Sequence, residues 1–221
     1  NYVLPEIEKS LKNKVVCKSI RTTGVPESIL QEKITDIIDA NKEKCDIAFL
    51  PHRMLGVDIR ITSPNAKLVD ELINTIVPRI KKYVYGFDED KLEQVIADLL
   101  LKHNLTVSTA ESCTSGLLAA RLTDVPGSSK YFKGGSVCYS NELKINDVGV
   151  KSDLIDRYGA VSEEVAEALA KNIAEKNNSD IGIGITGIAG PDGGSEKKPV
   201  GLVFVGIFYQ NNLYIKKYNL T

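Results

Sequence analysis

The residues of this 221-residue chain best suited to chemistry lie in one short run, Thr109-Ala110-Glu111-Ser112-Cys113-Thr114-Ser115-Gly116. It follows the apolar Leu105 to Val107 and precedes a periodic segment carried by Leu117, Leu118, Ala119, Ala120 and Leu122. That succession reads as a strand (105–109), a tight turn and a helix (113–123). A serine at such a point faces unpaired amide N–H groups and the positive end of a helix dipole. Ser112 is therefore placed to attack a carbonyl carbon and to have the oxyanion held by neighbouring amides. The plainer role for a serine there is a helix cap, and the segment alone does not choose between the two. Cys113 is the rival nucleophile, because a thiol at a helix N-terminus has a lowered pKa. A free cysteine is more often a small buried hydrophobe.

Hydrolysing an amide also needs a base that takes the nucleophile's proton and returns it to the leaving ammonia. Neither His52 nor His103 lies in a motif, so a Ser-His-Asp triad has little support, and His103 reads as a helix C-terminal residue. A lysine serves in Ser-Lys variants, provided burial lowers its pKa from the usual value of about 10.4. Lys144 is the candidate, in Tyr139-Ser140-Asn141-Glu142-Leu143-Lys144 just beyond the strand-like Gly135-Ser136-Val137-Cys138. Taken alone, a lysine is ordinarily a surface charge. A third polar cluster, Thr186-Gly187-Ile188-Ala189-Gly190-Pro191-Asp192-Gly193-Gly194, follows the alternation Ile181, Ile183, Ile185. Its glycines permit a ligand to approach the backbone closely, yet it is neither a Walker A loop nor a dinucleotide fingerprint. All three clusters come directly after a strand candidate, where ligands bind in open α/β sheets. Ser128 and Ser129, in a Pro-Gly-Ser-Ser turn, offer hydroxyl and N–H groups to a phosphate, or simply close a turn. Tyr139 stacks on a substrate ring or caps a strand end.

The elements that must position these residues fall in two blocks that part near Tyr85-Gly86-Phe87-Asp88. In the first, residues 1–86, a strand (15–21), a helix (27–40) and two strands (46–50 and 56–62, joined through Pro51-His52-Arg53-Met54-Leu55) precede a helix opened by Ser63-Pro64-Asn65. This β-α-β-β-α order suits a small α+β domain. The second, residues 87–221, opens with a helix capped by Asp88, whose apolar stripe is Leu92, Val95, Ile96, Leu99 and Leu100. Beyond the catalytic candidates come a strand (135–139), helices (152–158 and 162–176, the latter capped by Ser162) and strands (180–186, 201–208 and 213–219). The last two strands form a hairpin through Gln210-Asn211-Asn212, so the domain is read as three-layer α/β with a mixed sheet.

Net charge is −1, which exerts no global pull toward nucleic acid or membrane. The cysteines, Cys17, Cys45, Cys113 and Cys138, lack metal-ligand spacing, and with two histidines no metal centre is expected. Reduced thiols and the lack of any run of about 18 apolar residues point to a cytoplasmic protein outside the membrane.

Together with Asp124-Val125-Pro126-Gly127-Ser128-Ser129 and Lys197-Lys198-Pro199-Val200-Gly201, the three clusters resemble the C-terminal domain of the bacterial CinA (competence-damage inducible) family, from about Asp88 onward. That domain is similar to the nicotinamide mononucleotide deamidases. The resemblance implies an amidohydrolase that needs no metal or cofactor and converts nicotinamide mononucleotide to nicotinate mononucleotide and ammonia. It makes Ser112 the nucleophile and Lys144 the base, and matches Ser129, Tyr139, Thr186 and Ala189 to ligand-contacting positions, with Cys113 and Thr114 beside the nucleophile. Family members continue past the last strand with a Gly-Asp-Arg turn, whose arginine serves the site, and a terminal helix; the sequence as given stops at Thr221, where that turn is expected to begin. They also carry an N-terminal molybdopterin-binding-like domain. The first block resembles the family's KH-like middle domain. RNA-binding KH domains clamp the backbone with a GXXG loop, which this block lacks, and Lys12, Lys14, Lys18 and Arg21 read as a solvated strand edge. Nucleic acid is therefore not an expected partner; the block reads as a spacer or dimerisation module, and a homodimer is expected. The alternative function is a non-catalytic nucleotide-binding or scaffolding module linked to competence or DNA uptake.

Overall fold

The structure, a computed structural model, describes residues 15–52 and 56–220. Lys12, Lys14, Arg53, Met54, Leu55 and Thr221, named above, lie outside the described residues. The chain divides into two compact units between Val95 and Ile96.

The first unit runs β1 (Val16–Thr22), α1 (Glu27–Asn41), β2 (Asp46–His52), β3 (Gly56–Ser63), α2 (Ala66–Ile80) and β4 (Val84–Phe87). Its sheet has the order β2-β3-β1-β4, with antiparallel neighbours throughout. Alternation along the strands turns Ile20, Ile59 and Ile61 to the core, where they meet Leu30 and Ile34 of α1 and Leu72 and Ile76 of α2. Asn65 caps α2 by accepting the Leu68 N–H at 3.2 Å. Three expectations change here. The sheet gains β4, which was read as the break between domains. Asp88 does not cap a helix: it takes a left-handed φ of 47°, and its carboxylate accepts the Ser19 N–H at 2.8 Å. Finally, β1 is an interior strand rather than an edge. Lys18 and Arg21 are tied into ion pairs instead, Lys18 with Asp70 at 2.7 Å and Arg21 with the buried Asp58 at 3.0 Å.

The second unit contains α3 (Leu92–Lys102) from Ile96 onward, β5 (Val107–Glu111), α4 (Leu117–Thr123), a 3₁₀ turn (Ser128–Lys130), β6 (Phe132–Val137), α5 (Asn141–Asn146), α6 (Ser152–Tyr158), α7 (Glu163–Asn177), β7 (Ile181–Gly187), β8 (Leu202–Tyr209) and β9 (Asn212–Asn219). The sheet order is β6-β5-β7-β8-β9; the first three strands are parallel and the last two antiparallel. One face carries Val107, Leu122, Val125 and Tyr131 with Ala97 and Leu100 of α3. The other carries Ala110, Val148, Val165, Leu169 and Ile173. Helices thus cover both faces, giving the expected three layers. Within the expected α3 stripe, Ile96 and Leu99 are exposed, because the face this short helix buries is narrow and is filled by Ala97 and Leu100.

Two local devices shape this sheet. Gly182, Gly184 and Gly206 let α7 lie close, since a Cβ on any of them would run into the backbone of Ala166 or Ala170. Gln210 and Asn211 take left-handed φ values of 49° and 60°, which turn β8 tightly into β9. Most consequential for the site is register. Glu111 lies opposite both Val137 and Ile185, so the three parallel strands end level and their following residues emerge along one edge.

Candidate active site

At that edge the chain leaves β5 in a turn rather than a helix. The helix expected from Cys113 begins at Leu117; before it, Ser115 and Gly116 adopt left-handed φ values of 50° and 91°, which no α-helix continues through. Glu111 holds the turn. Its side chain is buried, and its carboxylate accepts the N–H groups of Gly116 at 3.1 Å, Leu118 at 3.0 Å and Ala119 at 2.8 Å. The amides that open α4 are therefore capped from the preceding strand, and Ser112 is not the cap. Glu111 was missed in the sequence. The available signal was one acidic residue ending an otherwise uncharged strand just before a nucleophile candidate.

Lys144 reaches Ser112 from α5, a short helix that Ser140 caps by accepting the Leu143 N–H at 3.1 Å. At 2 % exposure Lys144 is among the most buried side chains of the molecule, against the usual habit of lysine. Its Nζ lies 3.0 Å from Ser112 Oγ, 2.9 Å from the Cys138 carbonyl oxygen and 2.9 Å from that of Tyr139. Burial pulls its pKa below the ordinary lysine value, with the Cys138 and Cys113 thiols opposing. Three acceptors match the three N–H groups of an ammonium; a neutral amine fits the same positions by donating to the two carbonyls and turning its lone pair to the Ser112 hydroxyl. The helix is anchored at its far end by Asp147, whose carboxylate contacts Lys176 and Ser136; these partners hold its pKa below the usual carboxylate range.

Cys113 does not behave as a helix-terminal thiol, because no helix starts there. It is half-buried, and burial pushes its pKa up. The lowered pKa expected of a thiol at a helix N-terminus is therefore not found.

Ser112, Lys144 and Cys113 lie in a cleft of about 260 Å³, which Tyr139, Thr186 and Ala189 also line. Tyr139 is 69 % exposed. Thr186 is buried, and its hydroxyl donates to the Ala160 carbonyl at 2.7 Å, fixing one wall. Asn141 and Asp192 add polar groups that sequence reasoning did not single out. Two predicted residues are not brought in. Thr114 is not part of the lining, and its hydroxyl oxygen is buried without a hydrogen-bond partner. Ser129 sits exposed on the 3₁₀ turn leading into the start of β6, the end of the parallel strands opposite Ser112. Among the described residues no group of three or more His, Cys, Asp or Glu is placed to hold a metal ion.

Residues 89–221 match the family model described as the CinA C-terminal domain, and residues 17–86 match the damage-inducible protein CinA KH domain. Over its whole length the chain is 39 % identical to a CinA-like protein of Dictyoglomus thermophilum, covering 54 % of that relative. It is 41 % identical to a CinA-like protein of Fervidobacterium nodosum, with 92 % of this chain and 50 % of the relative aligned. The chain thus spans about half the length of the curated relatives it matches. Among solved structures, the competence/damage inducible protein CihA of Agrobacterium tumefaciens aligns with a TM-score of 0.58 at 37 % identity, over 59 % of this chain and 79 % of that one. A competence-damaged protein (CinA) superfamily protein of Escherichia coli aligns with a TM-score of 0.57 at 32 % identity, over 59 % of this chain and 76 % of that one.

Proposed function

The chain belongs to the CinA family, and from that premise we propose that it deamidates nicotinamide mononucleotide to nicotinate mononucleotide and ammonia. The observation that carries the reading is the 3.0 Å approach of a buried, carbonyl-held lysine amine to Ser112 Oγ at the base of a cleft. A serine hydroxyl beside a neutral amine is the pairing that Ser-Lys acyl transfer requires.

Lys144 Nζ takes the Ser112 proton as Oγ bonds to the carboxamide carbon, and the carbonyl π electrons move to oxygen. The Ser112 N–H is already given to the Ile185 carbonyl at 3.0 Å, and the Ser115 N–H to the Ser112 carbonyl at 3.1 Å. The Cys113 amide, on the residue that lines the cleft beside Ser112, is assigned to the oxyanion. Lys144 then delivers its proton to the amide nitrogen, the C–N bond breaks, and ammonia leaves an acyl-enzyme. Water attacks the ester with Lys144 again as base, releasing the carboxylate and restoring the hydroxyl. Tyr139 presents an aromatic face to the pyridine ring.

Ammonia release from the mononucleotide by this chain tests the reading. Ser112→Ala is expected to abolish it, and Cys113→Ala to leave most of it. Full activity in Ser112→Ala ends the serine mechanism. Tight binding by the unsubstituted chain with no ammonia release, not restored when the C-terminus is extended through the Gly-Asp-Arg turn, replaces the hydrolase with a binding module.

A further inference from the structure

Lys198 belongs to the Lys-Lys-Pro-Val-Gly run that the chemistry above leaves unused. Its Nζ donates to the Tyr158 carbonyl at 2.6 Å and to the Val161 carbonyl at 2.7 Å. These two carbonyls bracket the corner between α6 and α7. In that corner Ala160 accepts the Thr186 hydroxyl, and Ala160 and Val161 line the cleft. On its own side Lys198 is part of a closed turn: the Ser195 N–H donates to the Lys198 carbonyl at 2.8 Å, and the Lys198 N–H to Ser195 Oγ at 3.1 Å. The segment 188–201 that this turn terminates carries Ile188, Ala189, Gly190, Asp192 and Gly193 along the cleft. Its two ends are joined by the Gly201 N–H donating to the Ile188 carbonyl at 2.7 Å, so the cleft-lining stretch is a loop closed at its base.

We propose that Lys198 is the latch of this loop. It is a positioning residue that ties the segment 188–201 to the Tyr158–Val161 corner and so sets affinity for the mononucleotide, leaving the chemistry at Ser112 untouched. The inference rests on the mononucleotide site proposed above. Hydrogen bonds from a charged donor are roughly twice as strong as neutral ones, and two of them converge on one corner. A glycine-rich loop has much conformational freedom to lose when it closes over a ligand. With the latch intact, that ordering is made on folding. Without it, only a fraction of molecules hold the loop in place, and apparent affinity falls by that fraction while the closed complex reacts as before.

Lys198→Met keeps an unbranched apolar stem and removes every donor. Amide hydrogen exchange across residues 188–201 is expected to quicken about tenfold, with exchange in β5 and β7 unchanged. The dissociation constant for nicotinamide mononucleotide, measured by calorimetry with Ser112→Ala as the common background, is expected to rise about tenfold. KM is expected to rise in parallel, with kcat at saturation within about threefold. Unchanged exchange and affinity overturn the latch, and so does a loss of kcat with affinity kept. If the parent chain neither binds nor hydrolyses the mononucleotide, the functional reading fails, and the exchange comparison alone decides the latch. Should Lys198→Met not fold, Lys198→Gln, which keeps one donor, is judged by the same exchange measurement with a smaller expected effect.

Discussion

Which protonation state Lys144 holds decides whether Ser112 can be activated. The folded pKa lies below the ordinary value, so the neutral amine is present above that depressed pKa and lost as pH falls through it. The acid limb of kcat/KM is therefore expected to report Lys144, with an apparent pKa below about 10.4, the value of an unperturbed lysine. Lys144→Arg stays ionised under working conditions; turnover is expected to fall by about three orders of magnitude while calorimetry still records mononucleotide binding. Near-normal turnover in that variant makes Lys144 an electrostatic contact only. The same shift has a stability consequence. Between the folded and unfolded pKa values the unfolded chain binds a proton that the folded chain does not, so the Lys144 contribution to stability grows with pH. The stability of the parent chain relative to Lys144→Met is expected to increase from neutral to alkaline pH in denaturant melts, and a flat difference contradicts it. The pairing of Ser112 with Lys144 was legible only through the family resemblance, since the segments alone left Ser112 readable as a helix cap and Lys144 as a surface charge. Glu111 was not, since a carboxylate is ordinarily read as exposed, and only the folded turn provides the three amides that make its burial tolerable.

The turn between β5 and α4 is the element on which the site stands. Glu111→Gln keeps one acceptor oxygen and turns an NH₂ donor toward backbone N–H groups. A loss of about 2 to 3 kcal/mol in denaturant melts is expected, with a fall in kcat larger than any change in KM. A variant as stable and active as the parent removes Glu111 from the supporting structure. On the other side of the sheet, Gly184→Ala forces a methyl group against the Ala166 and Ala170 backbone. About 3 kcal/mol of stability is expected to be lost, by the same measurement. Element boundaries were legible where caps announce them, as at Asn65 and Ser162, each accepting an amide N–H of its helix, whereas the short helix α5 behind Ser140 went unread. They failed where the backbone turns left-handed at a residue other than glycine. Ser115 does so, and nothing in Thr114-Ser115-Gly116 separates that turn from a first helical turn. Strand β4 went unread because Tyr85-Gly86 looks like a break, whereas Gly86 lies opposite Arg21 in the β1 ladder.

At the scale of the molecule, each unit has its own sheet and core, and the chemistry gathers where three parallel strands of the second unit end level. That much follows from strand-then-polar-cluster order, which the sequence displays three times. Which clusters share a cleft depends on strand order, which sequence does not print, and β7 beside β5 brings Thr186 and Ala189 to Ser112; Ser129 stays away because it precedes β6 and so lies at the other end of the parallel strands. In the first unit the Lys18 and Arg21 charges are spent on Asp70 and Asp58. Single-stranded RNA is accordingly expected not to be retained at about 0.15 M salt, and tight, salt-sensitive retention in a filter assay would refute this. Among the described residues no helix is long and apolar enough to cross a membrane. In the proposed scheme serine and lysine supply nucleophile and base between them, so ammonia release is expected to survive EDTA unchanged, and its loss with recovery on adding a metal would require a different scheme.

The covalent step is open to direct observation. Mixing the chain with nicotinamide mononucleotide, quenching in acid within the first turnover and mapping the modified peptide should find the substrate, less ammonia, esterified to Ser112. The adduct should be absent from Lys144→Arg. The same adduct on Cys113, or turnover with Ser112 unmodified at every quench time and undiminished in Ser112→Ala, would contradict Ser112 as the nucleophile.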